Sequence, residues 1–500
     1  MTARSRARAA IAVCLLSIAA GCAHARPAFP PVNLKQERAL AAELARIFDA
    51  PEAQKGLWGV EVRSLDRPVT LFSRNAHTLM MPASNMKILT LAAAAETLGW
   101  DYRFRTTLET SAEIENGALR GDLIVVGRGD PTINTRERRA DAVFDEWAAA
   151  LRDAGISRID GNVIGDASAL DSRLGQGWSW DYLQFGYAAG AGALEFNENT
   201  ATLLVRPGAK AGDDASIELP PSTGLGLVHH VVTGEPGSAT RIDINRQANG
   251  GWLDVTGSIA ADAQPVTREV AVANPTLFFT HALVNALTAR GIAVHGLPKE
   301  LPDFRNIVPP LPRRVLHETL SPPLRQIATT MMKVSQNLYA ETLLKTIGAA
   351  NAAPGTAQAG RAAARAIFDR WNIPADGYVQ ADGSGLSRYD YVTAGTIVML
   401  LEHMFRDPAH HDPFVATLPV AGRDGTISNR LKGTPAEGNV MAKTGSIANV
   451  RALSGYLRTR DGETLVFSII ANNFGASIDV IDQATDAIVV KLVQFASTNR

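Results

Sequence analysis

The chain reads as an α/β protein of the α+β kind, a helix-covered sheet interrupted by a long β-rich insertion. Three observations predict this. Strand and helix patterns stand at both ends of the chain, while about 200 residues between them are dominated by short strands. The length of 500 residues suggests about three domains rather than one. Hydrophobic residues make up 46% and charged residues 20%, enough apolar surface for a sizeable core, and the 42 Gly and 26 Pro fall short of a low-complexity composition.

The elements follow in order. Leu40, Leu44, Ile47 and Phe48 share one face of a helix predicted over residues 34–49. Trp58, Val60 and Val62, then Val69 and Leu71, alternate around Ser64-Leu65-Asp66-Arg67-Pro68 and predict a hairpin. Pro82 and Ser84 open an Ala- and Leu-rich helix that runs to about Leu98. Short β-rich runs at 122–126 and 158–165 follow, and residues 199–259 are almost wholly short strands. Helical patterns return at 275–290, 324–347 and 360–372. Strands at 451–457 and 464–471 turn at Arg460-Asp461-Gly462, and a last helix aligns Ile478, Ile481, Ile488, Leu492 and Phe495. Its polar face is mostly acidic, which favours core packing over a membrane surface. The two ends together can build one sheet, with the middle inserted between them.

The formal net charge is -1, from 49 basic and 50 acidic residues, a balance that argues against a nucleic-acid binder, which normally shows a basic stripe. Only ten of the basic residues are Lys, so each lysine position carries information. Arg4, Arg6 and Arg8 followed by the apolar run 9–20 read as a secretory signal, too short to span a bilayer. Two processing sites compete: Ala23-His24-Ala25, giving a signal peptide of residues 1–25, and Ala19-Ala20-Gly21-Cys22, a lipoprotein-like site with Cys22 acylated. Plain cleavage is the favoured of the two. Cys14 and Cys22 are the only cysteines, so the body of the chain has neither thiol chemistry nor a disulfide.

Three short motifs carry the chemistry. Ser84-Asn85-Met86-Lys87 starts a helix, and residues three apart share a helix face, so Lys87 can approach the Ser84 hydroxyl. A serine nucleophile needs a base. For a lysine to serve near neutrality its pKa must fall by about 3 units, roughly 4 kcal/mol, through burial or a second cation. The plainer alternative makes Ser84 an N-cap and Lys87 a solvated residue. In Ser335-Gln336-Asn337 a second hydroxyl can relay a proton to a leaving amine and Asn337 can hold a substrate amide, or the run is simply a helix cap. Lys443-Thr444-Gly445-Ser446 leads into a strand, where Lys and Thr on an edge can grip a carboxylate and Gly445 admits substrate backbone. S-x-x-K, S-x-N and K-T-G in that order form the signature set of penicillin-recognising serine enzymes. No G-x-S-x-G elbow and no H-E-x-x-H occurs. The His229-His230 and His410-His411 pairs lack metal-ligand spacing and read as loop residues.

At these motifs the sequence resembles the class C low-molecular-mass penicillin-binding proteins, the D-alanyl-D-alanine carboxypeptidases/endopeptidases of the penicillin-binding protein 4 type. The mark of the resemblance is the long gap between Ser84 and Ser335. Further family-like runs stand at 127–132, 161–166, 177–181, 193–199, 271–275 and 382–388. The resemblance implies a serine β-lactamase/transpeptidase-like domain (26–100 and 304–500) split by a nested pair of β-rich inserts, one at 101–195 and 263–303, the other at 196–262. It implies that Ser84 is acylated by the penultimate D-Ala carbonyl of a peptidoglycan stem peptide, with Lys87 as base and no cofactor. Ser335 and Lys443 would pass the proton to the departing D-Ala, and Asn337 would bind the acyl-side amide. Backbone N–H groups of Ser84 and Ser446 would form the oxyanion hole, with Thr444 and Arg388 on the terminal carboxylate. Asp166 falls where the family contacts a diaminopimelate amine. β-Lactams would acylate the same serine. Ala448 stands where some relatives carry a polar side chain, which leaves endopeptidase specificity open, and the oligomeric state is not legible. The rival readings are a β-lactamase-like hydrolase, for which no second general base is placed, and a non-catalytic peptidoglycan-binding scaffold. A periplasmic location follows from the signal.

Overall fold

The computed structural model describes residues 34–135, 139–247, 250–301, 312–350 and 354–497. The expected signal segment 1–25, with Cys22 and both candidate processing sites, lies outside the described residues.

Both ends of the chain meet in one antiparallel sheet, in the order Thr70–Arg74, Leu57–Ser64, Thr464–Asn472, Val450–Arg458, Met441–Ile447. The expected hairpin forms, and its inner strand pairs in register with the last strand, Trp58 opposite Ala471 and Val62 opposite Phe467. Successive side chains in a strand point to opposite faces. Leu453, Leu457, Leu465, Phe467 and Ile469 therefore pack on one side against α1 (Leu34–Phe48) and the C-terminal helix Ile478–Gln494, while Ala452, Tyr456, Val466 and Ile470 join the core on the other. These strands are apolar on both faces because both are covered. On the C-terminal helix Ile481, Ile488, Leu492 and Phe495 are buried, as its stripe predicts, while Ile478 is exposed.

The second core side is helical. α2 (Met86–Leu98) is buried over its first ten residues, so its apolar positions run all round and show no amphipathic stripe. Around it pack α5 (Leu324–Lys333), α6 (Asn337–Ala349), α7 (Ala357–Arg370) and α8 (Ala394–Arg406). The helical pattern read across 324–347 is broken in the structure. Ser335 sits at φ +62 between α5 and α6, and Gln336 caps α6 with its own side chain on the Leu338 N–H. No Gly or Pro marks this break, which is why periodicity alone runs through it.

The middle of the chain builds separate sheets. One runs in the order Pro298–Glu300, Val163–Asp166, Leu123–Val126, Arg105–Thr110, Arg314–Leu320, and is covered by α3 (Arg139–Asp153) and α4 (Pro275–Ala289). The sequence reading passed over α3, although Ala140, Val143, Phe144, Trp147, Ala148 and Leu151 make a regular buried stripe. The run read at 158–165 is two strands, Arg158–Ile159 and Val163–Asp166. Between residues 200 and 271 lie two three-stranded sheets with a core of their own around Leu203, Val231, Leu253 and Val255. His229 and His230 lie on the strand Gly226–Gly234 rather than in a loop.

The strand pairings move two expected boundaries. Val266–Ala271 pairs with Thr200–Arg206, so the inner unit reaches past residue 262. Arg314–Leu320 pairs with Arg105–Thr110, so the return to the helix-covered sheet comes after residue 320 rather than at 304. Pairing partners that lie some 60 and 200 residues apart leave no trace in local composition.

Candidate active site

Pro82 precedes a short 3-10 turn, Ala83–Asn85, which feeds α2. Ala83 holds φ +46, a conformation that costs a non-glycine residue about 1–3 kcal/mol and collects at functional sites. Ser84 is not an N-cap: the cap positions of these turns are Pro82 and Asn85, and neither makes a side-chain cap bond. The plain capping reading of the first motif is thereby set aside. Instead Lys87 donates from Nζ to Ser84 Oγ at 3.0 Å, to Asn337 Oδ1 at 2.6 Å and to the Ser384 carbonyl at 2.8 Å.

Lys87 is fully buried, and burial pulls its pKa down from 10.5 to about 7 against the opposing pull of Asp382, Glu341 and Asp390. Lys443 is equally buried; desolvation first, and the nearby charge of Lys87 second, hold it well below the usual lysine range. Its Nζ donates to Ser335 Oγ at 2.9 Å and to the Thr444 carbonyl at 2.8 Å. Asn85 donates to the Lys443 carbonyl at 3.0 Å and so ties the first motif to the third. Ser335 does not cap α6, since Gln336 occupies that position.

Two glycines let these segments close on one another. A Cβ on Gly445 would lie 2.5 Å from the Pro82 carbonyl oxygen, and one on Gly385, at φ +82, would lie 1.8 Å from the Ala83 carbonyl oxygen. The edge strand Met441–Ile447 and the 381–388 segment therefore pack directly on the turn that carries Ser84.

A cleft of about 940 Å³ opens at this junction, lined among others by Ser84, Ser335, Asn337, Thr444, Ser446 and Ile447. Thr444 Oγ1 lies 2.7 Å from Thr426 Oγ1, which the sequence reading did not single out. The insert supplies one wall: Tyr182 and Tyr187 line the cleft, and the Tyr187 carbonyl accepts from Asn337 Nδ2 at 2.8 Å. Burial, with Tyr182 and Asp181 nearby, pushes the Tyr187 hydroxyl up to about 12. Arg388 sits at the rim, donating to the Ala448 carbonyl and to the Tyr182 hydroxyl, both at 3.2 Å. Trp178 Nε1 donates to Asp382 Oδ2 at 2.7 Å, a second tie between insert and catalytic wall.

Nine of the ten residues singled out from sequence thus come together: Ser84, Lys87, Ser335, Asn337, Lys443, Thr444, Gly445 and Ser446 at the cleft, Arg388 at its edge. Asp166 does not join them. It ends the strand Val163–Asp166, is buried, pairs with Arg313 at 2.9 Å, and is not among the residues that line the cleft. Ser168 and Arg313 hold its carboxyl below the usual range although burial opposes them. Glu341, Asp382 and Trp178 receive no role from the sequence; nothing local shows that folding sets Glu341 and Asp382 behind Lys87 and Trp178 on Asp382. Among the described residues no cluster of metal-ligating side chains occurs and no helix is long and apolar enough to cross a membrane.

Comparison with known proteins identifies the family. The model of the D-Ala-D-Ala carboxypeptidase 3 (S13) family matches residues 40–495. A D-alanyl-D-alanine carboxypeptidase from Actinomadura sp. (strain R39) is 35% identical over 494 residues, covering 94% of this chain and 88% of that protein. The crystal structure of penicillin-binding protein 4 from Haemophilus influenzae superposes with a TM-score of 0.79 at 27% identity, covering 90% of this chain and 99% of that one. The same Haemophilus protein complexed with a β-lactam gives a TM-score of 0.75 at 26% identity, covering 91% and 100%. The fold expected from the motifs is therefore the fold found, and the chain belongs to the D-Ala-D-Ala carboxypeptidase 3 (S13) family.

Proposed function

We propose that the chain is a penicillin-sensitive serine D-Ala-D-Ala carboxypeptidase acting on peptidoglycan stem peptides. One observation carries the reading: a fully buried lysine, its pKa lowered to about 7, stands 3.0 Å from the hydroxyl of Ser84. A base is most useful when its pKa lies near the working pH.

Ser84 Oγ attacks the penultimate D-Ala carbonyl while Lys87 takes its proton. The oxyanion is received by the backbone N–H groups of Ser84 and Ser446, each such donor being worth about 3–4 kcal/mol. Ser335, held by Lys443, returns a proton to the departing D-Ala amine as the C–N bond breaks. Thr444 and Arg388 receive the terminal carboxylate, and Asn337 the acyl-side amide. Water then hydrolyses the ester on Ser84. A β-lactam enters the same sequence because its ring amide imitates the scissile bond. Asp166 has no part in this scheme, being paired with Arg313. Cleavage of cross-links is a second activity of the same site. Arg4, Arg6 and Arg8 with the apolar run behind them support export to the periplasm.

A fluorescent penicillin tests the reading. Stable covalent labelling, lost in Ser84→Ala, together with D-Ala release from a diacetyl-Lys-D-Ala-D-Ala peptide, is expected. Rapid release of the label would favour a β-lactamase, and no label at all a non-catalytic scaffold. Mass analysis of products from cross-linked muropeptides tests the second activity.

A further inference from the structure

Behind Lys87 lie three buried carboxyl groups that the reaction scheme leaves without a role. Glu341, on α6, is 3% exposed, and Asp382 and Asp390, which flank the segment facing Ser84, are 0% exposed. Among the described residues none of the three is in ion-pair contact with a Lys or Arg. Most of their hydrogen bonds go to one stretch of backbone, the Trp178 indole on Asp382 being the main addition, while Asp390 Oδ2 is buried without a partner among the described residues. Glu341 Oε1 accepts the N–H groups of Gly383 at 3.0 Å and Ser384 at 2.8 Å. Asp382 Oδ1 accepts Ser384 N–H at 3.1 Å and Gly385 N–H at 2.7 Å, and its Oδ2 accepts Ser387 N–H at 2.8 Å. Asp390 Oδ1 accepts the N–H groups of Ala381 at 2.6 Å and Asp382 at 3.3 Å. The Ser384 carbonyl, oriented by these bonds, is the group that accepts from Lys87 Nζ at 2.8 Å.

This is an expensive arrangement. Buried carboxyl groups without cations are destabilising unless fully hydrogen-bonded. Gathered behind one buried amine, they oppose its desolvation wherever they are ionised. Hydrogen bonds to the N–H side of a peptide also polarise the carbonyl on its far side.

We infer that Glu341 and Asp382 are positioning residues for Lys87: through the Ser384 backbone they fix the amine against Ser84, and through their charge they keep it protonated further into the alkaline range than burial alone would allow. The inference rests on Lys87 being the base for Ser84. The charged and titratable groups facing Lys87 are Lys443 from the edge strand, Glu341 from α6, and Asp382 and Asp390 from the 381–390 segment; Lys345 of α6 in turn acts on Glu341. The directions agree with the geometry. Burial, with the neighbouring charge of Asp382, pushes Glu341 up to about 7 and Asp390 well above the ordinary carboxylate range, and the three carboxyl groups, where ionised, oppose the desolvation of Lys87.

Glu341→Gln is the discriminating variant, since it keeps an oxygen for the two N–H groups and removes only the charge. The readout is the second-order rate of acylation by a fluorescent penicillin from pH 5 to 9. Wild type should show an acidic limb with its midpoint near Lys87's value of about 7. In Glu341→Gln that midpoint should move to lower pH by about half to one unit, while Glu341→Asp, which retains the charge, should hold it near the wild-type position even if the plateau drops. A plateau that falls with an unmoved midpoint, or a midpoint that rises, overturns the inference in favour of a merely structural role. An acidic limb absent from wild type itself would overturn the base assignment to Lys87, and this inference with it. Should Glu341→Gln not fold, the wild-type enzyme still decides. The ¹³Cε resonance of Lys87, assigned by its loss in Lys87→Arg, should titrate in two steps, its own and that of the neighbouring carboxyl; a single step overturns the inference.

Discussion

Lys443 Nζ lies 2.9 Å from Ser335 Oγ, so the lysine of the third motif addresses the serine of the second and not that of the first. The site thus holds two serine–lysine pairs, Ser84 with Lys87 and Ser335 with Lys443, each lysine buried and each held below its ordinary pKa. In the proposed reaction one pair removes a proton and the other hands it on.

Removing the nucleophile should remove the reaction. Ser84→Ala is expected to abolish covalent penicillin labelling and to lower D-Ala release by at least about 10⁴, by analogy with other serine nucleophiles. Labelling on a gel, with D-Ala measured by a coupled oxidase, checks both.

Lys87 predicts the direction of the pH dependence. Only its neutral form accepts the Ser84 proton, so kcat/KM should climb as pH rises through about 7. Lys87→Arg should be inactive across the range, because Arg does not lose its proton in a protein. The same group has a stability consequence. Its folded pKa lies below the unfolded value of 10.5, so the unfolded chain binds the extra proton between about 7 and 10.5, and the contribution of Lys87 to stability rises with pH across that window. Comparing urea unfolding at pH 7.5 and 9 in wild type and Lys87→Met isolates it: the wild type should gain more.

Ser335→Ala should separate the two proton transfers. It leaves the Lys87–Ser84 contact in place and removes the hydroxyl that Lys443 holds. A loss of about 10²–10⁴ in kcat is expected, the usual size of a general-acid contribution. An effect below tenfold would remove Ser335 from the relay.

Trp178→Phe should loosen the insert from the catalytic wall. The lost bond to Asp382 leaves a buried carboxyl oxygen with one partner fewer, a cost of about 1–3 kcal/mol. Urea unfolding measures it, and acylation by penicillin should slow because Asp382 also holds the segment that carries Ser384.

A structural ion pair far from the cleft gives a control. Arg67 Nε and Nη2 bond Glu463 at 2.6 and 3.0 Å, and Nη1 bonds Glu37 at 2.8 Å, all three side chains being nearly buried. Arg67→Met leaves two carboxylates unpaired and should destabilise the fold by about 3–5 kcal/mol. Penicillin acylation at low temperature should be unchanged.

The sequence by itself determined the chemistry and the outline of the catalytic part. Order and spacing of the three motifs selected the residues, because a nucleophile and its base three positions apart on a helix are a local matter. Alternation at 57–71, and the apolar runs 451–457 and 464–471 about Arg460-Asp461-Gly462, marked the sheet for the same reason: a strand's apolar pattern is written residue by residue. Tertiary structure decided what depends on groups distant in the chain. It broke the helical pattern at Ser335 by a left-handed residue that no glycine announces. It paired Asp166 with Arg313, 147 residues away. It moved the insert boundaries, because backbone pairing of Arg314–Leu320 with Arg105–Thr110 is a long-range bond. It also lowered the pKa of Lys87: desolvation is a property of everything packed around an amine, and no window of sequence contains it.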